Sequence, residues 1–172
     1  MGVSGSGKTT IARALAARIG AEFIDADWLH SEENLAKMSS GHALGDEERL
    51  PWLHIVGEHI ERLKSSRHSS VTACSALKRS YRDVLRQHVP DAIFVFLDGS
   101  FEVLQARITA RQHEFMPPSL LVSQFATLEP LGNDEQGLRV DVELNPDEIV
   151  DTIETELRRL IIEATPNEEE IQ

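Results

Sequence analysis

Two periods of apolar residues alternate along the chain. Ile11, Leu15 and Ile19 stand four apart with Gly20 behind them, so the spacing predicts a first helix closed by a left-handed glycine. Ala21–Ile24 is a short apolar run that predicts a strand ending in Asp25-Ala26-Asp27. Ser31 can cap a short helix through Met38, which Ser39-Ser40-Gly41 breaks. From about Asp46 to Ser65, Leu53, Val56, Ile60 and Leu63 share one helical face, with a restart or kink expected at Pro51. Val71–Ala73 predicts a buried strand, and Leu77 to His88 a helix. Ile93–Leu97 is the clearest strand, an unbroken apolar run between Pro90 and Asp98-Gly99. A helix from about Phe101 to Arg111, a mobile connection over Gln112–Pro118 and a helix over Ser119–Leu128 follow. Leu138, Val140, Val142 and Leu144 alternate as a strand would, and Pro146 opens a last helix to about Ile162. The acidic stretch 165–172 is expected to be disordered.

Strands alternating with helices imply an α/β fold with a mostly parallel sheet flanked by helices. In such a sheet, ligands bind at the carboxyl ends of the strands, so chemistry is to be sought just after each one. No repeat or linker divides residues 1–164, and a single domain is expected.

Charge narrows the partners. With 29 acidic against 17 basic residues the net charge is −12, which disfavours nucleic acid. No apolar run reaches membrane-spanning length and no signal-peptide pattern is present, so no membrane partner is expected. The single Cys74 excludes an internal disulfide and suits a reducing, cytoplasmic setting; within an apolar strand it reads as core packing.

The first candidate site precedes the first helix. Gly2-Val3-Ser4-Gly5-Ser6-Gly7-Lys8-Thr9 fits G-x-x-x-x-G-K-[ST] at every required position. Its glycines allow successive N–H groups to turn inward around a phosphate chain, and the helix N-terminus adds its dipole. Gly2, Ser4, Gly5, Ser6, Gly7, Lys8, Thr9 and Thr10 are therefore assigned to ATP, with Lys8 on the outer phosphates and Thr9 on Mg²⁺. This motif requires a strand before it, whereas only Met1 precedes Gly2; a native start about 5 to 15 residues upstream is expected.

Carboxylates follow the next strand. An extended Asp25-x-Asp27 puts both on one side, Asp25 for the metal and Asp27 as base toward an acceptor hydroxyl. As turn and cap chemistry alone, the pair would carry no such role. Lys78, Arg79, Arg82 and Arg86 place four of the 17 cations within nine residues, which suggests an anionic ligand bridged by Lys78 and Arg82; a solvated face paired with local acids is the alternative. Arg107 and Arg111, four apart, suit charge neutralisation from a lid and equally a helix C-terminus. Trp28 and Trp52 read as packing residues, with lining of a sugar-like substrate as the alternative for either, and no His/Cys spacing suggests zinc.

These motifs together resemble the gluconate kinases, P-loop small-molecule kinases close to shikimate and adenylyl-sulfate kinases. The resemblance rests on the loop above and on Phe23-Ile24-Asp25-Ala26-Asp27-Trp28-Leu29-His30, Asn34-Leu35-Ala36-Lys37-Met38-Ser39-Ser40-Gly41 and Leu44-Gly45-Asp46. It continues through Arg49-Leu50-Pro51-Trp52-Leu53, Cys74-Ser75-Ala76-Leu77-Lys78-Arg79-Ser80-Tyr81-Arg82, Phe115-Met116-Pro117-Pro118 and Ser123-Gln124-Phe125-Ala126-Thr127-Leu128-Glu129. It implies a three-layer P-loop kinase fold and ATP-dependent conversion of gluconate to 6-phosphogluconate, with a substrate-binding helical region at about residues 29–65 and a lid at about 107–118. Carried over, His30, Lys37, Arg49, Lys78 and Arg82 become candidates for the carboxylate and hydroxyls of gluconate, alongside Asp27. Family members are commonly homodimers, and the resemblance implies the same here. The chain departs from the family at Gln112-His113-Glu114-Phe115, where Lys-Gly-His-Phe is frequent, and at Ala26, where Gly is frequent. A kinase for another small hydroxy acid, or an inactive nucleotide-binding homologue, remains the alternative.

Overall fold

A computed structural model describes residues 1–110 and 118–164. Helix α1 (Lys8–Ile19) starts at Gly7, with φ of 89°, and stops at Gly20, with φ of 68°, whose N–H returns to the Ala16 carbonyl. Strand β1 (Glu22–Asp25) runs into a 3-10 turn over Ala26–Leu29 and then α2 (Glu32–Ser39), capped by Ser31 Oγ on the Asn34 N–H. Next come α3 (Asp46–Ser65), β2 (Ser70–Ala73), α4 (Arg79–His88) and β3 (Phe94–Asp98). The described chain closes with α5 (Phe101–Ala110), α6 (Pro118–Thr127), β4 (Gly137–Asp141) and α7 (Pro146–Ala164).

Three elements differ from expectation. Helix α3 runs through Pro51 as one element. The carbonyl that the proline leaves without a donor is offset by the burial of Trp52, Leu53 and Val56 just beyond it. Helix α4 begins at Arg79 rather than Leu77, because Lys78 is extended (φ −93°, ψ 151°) and serves as its N-cap. Strand β4 ends at Asp141, whose carboxylate accepts the Glu143 N–H and turns the chain before Leu144. Of the expected mobile connection over Gln112–Pro118, Pro118 instead opens α6, and the rest, like the 165–172 tail, lies outside the described residues.

The strands form two parallel pairs. Glu22 to Asp25 of β1 register with Ser70 to Ala73 of β2, and Phe94 to Asp98 of β3 with Gly137 to Asp141 of β4. Between β2 and β3 lies a cleft of about 490 Å³, lined by Val71, Ala73, Phe94, Val95, Leu15 and Ile153 among others. Met1 enters its end: its amine donates to Val95 O, its carbonyl accepts from Leu97 N at 3.0 Å, and Gly2 N donates to Ser75 O at 3.1 Å. Met1 thus takes strand-like pairing where a strand leading into the loop would lie. Burial, and then the charge of Lys8, lowers its amine from 8.0 to about 5.

Two cores result. One joins α1, β3, β4 and α7 through Leu15, Leu97, Val140, Val142 and Ile153. The other packs α3 on α4 through Trp52, Leu53, Val56, Tyr81 and Leu85. The second core bears on the candidate site, since α3 carries Arg49. Cys74 is buried with it, its thiol pushed up to about 11 chiefly by burial, in keeping with a packing residue.

Candidate active site

Backbone shape builds the phosphate loop. Gly2 has φ of 140°, and a Cβ there would lie 2.7 Å from the Leu97 carbonyl; at Gly5, with φ of 80°, one would lie 3.1 Å from the Leu104 carbonyl. Side chains are excluded at both by conformation and by contact. The Lys8 ammonium folds back to donate to Val3 O at 3.0 Å. The Ser4 N–H donates to Gln124 Oε1 of α6 at 2.6 Å, so α6 closes on the loop. Ser6 Oγ is buried without a hydrogen-bond partner among the described residues, while Thr9 and Thr10 are exposed in the first turn of α1.

The loop meets β1 through one contact: Thr9 Oγ1 donates to Asp25 Oδ2 at 3.1 Å. A hydroxyl and a carboxylate side by side offer hard oxygen ligands, which fit Mg²⁺ with phosphate and water completing its shell. The other Asp25 oxygen accepts the Asp27 N–H at 3.2 Å. The extended arrangement expected for Asp25-x-Asp27 is therefore corrected. Asp25 closes the strand and caps the 3-10 turn, and Asp27 lies inside that turn. The Asp27 side chain is 74% exposed, yet its carboxyl is raised above the ordinary value. Partial loss of hydration among its neighbours is the first cause and Asp25 the second, with Lys8 and Arg49 opposing.

The cations of the substrate side are unequal. Lys37 is paired with Glu48 at 2.5 Å, and Glu48 also accepts the Gly45 N–H at the start of α3. Lys78 donates to both oxygens of Asp46, at 2.7 and 2.8 Å, and the Tyr81 hydroxyl donates to the same carboxylate. Those bonds hold Asp46 below the usual carboxylate range, the Lys78 contribution first. Arg49 spends Nε on Leu44 O at 3.1 Å and sits 5.9 Å from the Tyr81 ring centre. Its two terminal nitrogens make no hydrogen bond among the described residues, although its charge acts on Asp27, His30, Asp46 and Glu48 together.

Arg82 requires a correction. It is fully buried, and its donors go to Glu135, Ala76 O, Leu77 O, Glu129 O and Pro130 O. No donor is left for a ligand. Arg79 pairs with Asp134, and Arg86 with Asp83 and Glu135, so most of the basic segment is matched by local acids. Arg107 is half-buried and donates to Val142 O at 2.6 Å; Arg111 lies outside the described residues.

The aromatic residues divide. Trp28 is 67% exposed with its edge toward Phe23, contrary to a packing role in the core. Trp52 is buried and stacked on His30 at 4.1 Å, with rings 14° from parallel. Asp46 and Gln124 are residues that reasoning from the chain alone did not single out. Each lies within a motif quoted above, so the signal was present without an indication of role.

A family model described as shikimate kinase matches residues 4–158. The chain is 45% identical over 153 residues to the gluconokinase of Gluconobacter oxydans (strain 621H), covering 89% of this chain and 86% of that one. The chain belongs to the gluconokinase family. Among solved structures, this gluconokinase-family chain is similar to a sugar kinase from Janibacter sp. HTCC2649, with a TM-score of 0.88 and 47% identity, covering 92% and 91% of the two chains. It is also similar to a gluconokinase from Sinorhizobium meliloti 1021, with a TM-score of 0.84 and 43% identity, covering 96% and 95%. The expected α/β P-loop kinase fold is thereby established. No helix among the described residues is long and apolar enough to cross a membrane.

Proposed function

We propose that this chain phosphorylates gluconate with ATP, and that Arg49 anchors the acid group while Asp27 receives the acceptor proton. The observation that supports this reading is the contact of the phosphate loop with Asp25 through Thr9, beside Asp27, whose carboxyl feels both Lys8 and Arg49, while two Arg49 nitrogens make no hydrogen bond among the described residues. The C6 hydroxyl oxygen attacks the γ-phosphorus in line, the bond from γ-phosphorus to the β–γ bridging oxygen breaks, and the hydroxyl proton passes to Asp27. Lys8 and the loop N–H groups stabilise charge on the phosphates, while Arg49 orients the sugar acid by its carboxylate. Mg²⁺, held at Thr9 and Asp25, would supply charge neutralisation on the β- and γ-oxygens. The reading includes a homodimer and a cytoplasmic setting, the latter in keeping with the lone buried Cys74.

The test is ADP release with gluconate, with other aldonic acids and without acceptor, using Asp27→Asn as control. Turnover dependent on gluconate and lost in Asp27→Asn is expected. Equal turnover with other acids and none with gluconate would move the assignment to another hydroxy acid.

A further inference from the structure

His30 and Trp52 lie on the acceptor side of the site and are arranged beyond the needs of packing. The His30 side chain is 3% exposed, and its Nε2 lies 3.9 Å from Asp27 Oδ1. That gap is too long for a hydrogen bond between them. One oxygen placed beside the gap can reach both atoms at hydrogen-bond distance. The other ring nitrogen, Nδ1, is buried with no partner among the described residues. An orphaned buried N–H is costlier than an orphaned acceptor, so the ring proton belongs on Nε2, facing Asp27. Asp27 beside the ring and Arg49 from α3 are the charged groups acting there; burial first, and Arg49 second, lower its basicity to about 4. The ring is a neutral donor.

Trp52 holds this arrangement from behind. Its face stacks on the imidazole, and its indole Nε1 donates to Ala26 O at 2.9 Å. Ala26, fully buried, is the residue between Asp25 and Asp27. One side chain of α3 therefore fixes both the plane of His30 and the backbone that presents the two carboxylates.

We infer that His30 Nε2–H and the Asp27 carboxylate seat the acceptor hydroxyl between them, and that Trp52 is the positioning residue for both. The hydroxyl donates its proton to Asp27 and accepts from His30, which leaves its second lone pair for the γ-phosphorus. The inference deepens the proposed phosphorylation and rests on Asp27 being the acceptor-side carboxylate.

Three variants test it: His30→Leu removes the donor, His30→Gln keeps an N–H near the place of Nε2, and Trp52→Phe keeps a stacking ring without the indole N–H. Gluconate-dependent kcat is expected to fall about 10- to 100-fold in His30→Leu and about 10-fold in Trp52→Phe, the size of one misplaced or lost hydrogen bond. Acceptor-independent ATP hydrolysis and KM for ATP should stay within about twofold of wild type, so the ratio of phosphorylated acid to ADP falls. His30→Gln should recover most of the lost kcat and of that ratio, which a space-filling role for His30 would not provide. Equal losses in His30→Leu and His30→Gln, or wild-type kcat and coupling in His30→Leu, would overturn the inference. Should Trp52→Phe not fold, the His30 pair decides alone. Asp27→Asn measured in parallel separates the levels: full turnover there removes the acceptor assignment itself, whereas its loss beside normal His30→Leu kinetics removes only the seat.

Discussion

The Arg82 guanidinium grips Glu135 with two bonds of 2.7 Å, and neither side chain reaches solvent. Glu135 also accepts from Arg86 at 2.8 Å and from Gly132 N at 2.9 Å. This pair ties α4 to the loop ahead of β4, close to the site but outside it. Arg82→Ala or Glu135→Gln is expected to cost about 3–5 kcal/mol in urea unfolding, because either leaves its partner buried and uncompensated. Gluconate KM of the folded fraction should stay near wild type. A large KM change with unaltered stability would return Arg82 to the substrate.

The same pair sets an acid limit. Arg82 first, together with Gly132 N–H and Arg86, holds the Glu135 carboxyl far below its ordinary 4.5. A carboxylate depressed on folding contributes stability that is present above its unfolded value and lost as pH falls below it. Denaturation midpoints should therefore drop as pH falls below about 4.5. Glu135→Gln should flatten that drop while lowering stability at neutral pH.

Arg49 and Lys78 separate by their partners. Arg49→Ala is expected to raise gluconate KM about 10- to 100-fold, the loss of a charge-assisted contact, with KM for ATP near wild type. Lys78→Ala should act less on gluconate, since Lys78 is already matched by Asp46. Steady-state kinetics of both variants reverse the assignment if Lys78→Ala proves the larger.

Lys8→Ala should leave folding intact and lower kcat about 100- to 1,000-fold, as loss of one positioned donor to developing phosphate charge does. Gluconate binding measured by calorimetry should persist. A variant that loses gluconate binding as well would show that the loop also shapes the acceptor cleft.

Local grammar sufficed for much of this protein. The α1 stop at Gly20, the Ser31 cap, the run in β3 and the eight-residue loop are each specified by neighbours in sequence, through backbone conformation and periodicity. The α/β order and the loop's chemistry were therefore legible from the chain. Tertiary structure alone decided which cations are available. Lys78, Arg82 and Arg49 look alike as charges in a string, but Asp46 and Glu135 make the first two a matched pair and a buried brace, while Arg49 keeps two nitrogens without a hydrogen bond among the described residues. It also decided that Trp52, a packing residue by sequence, stacks on His30 and holds Ala26 between the two carboxylates. A partner 26 residues away leaves no periodic trace, because hydrogen bonds and burial depend on position in space, whereas propensity depends only on neighbours in the chain.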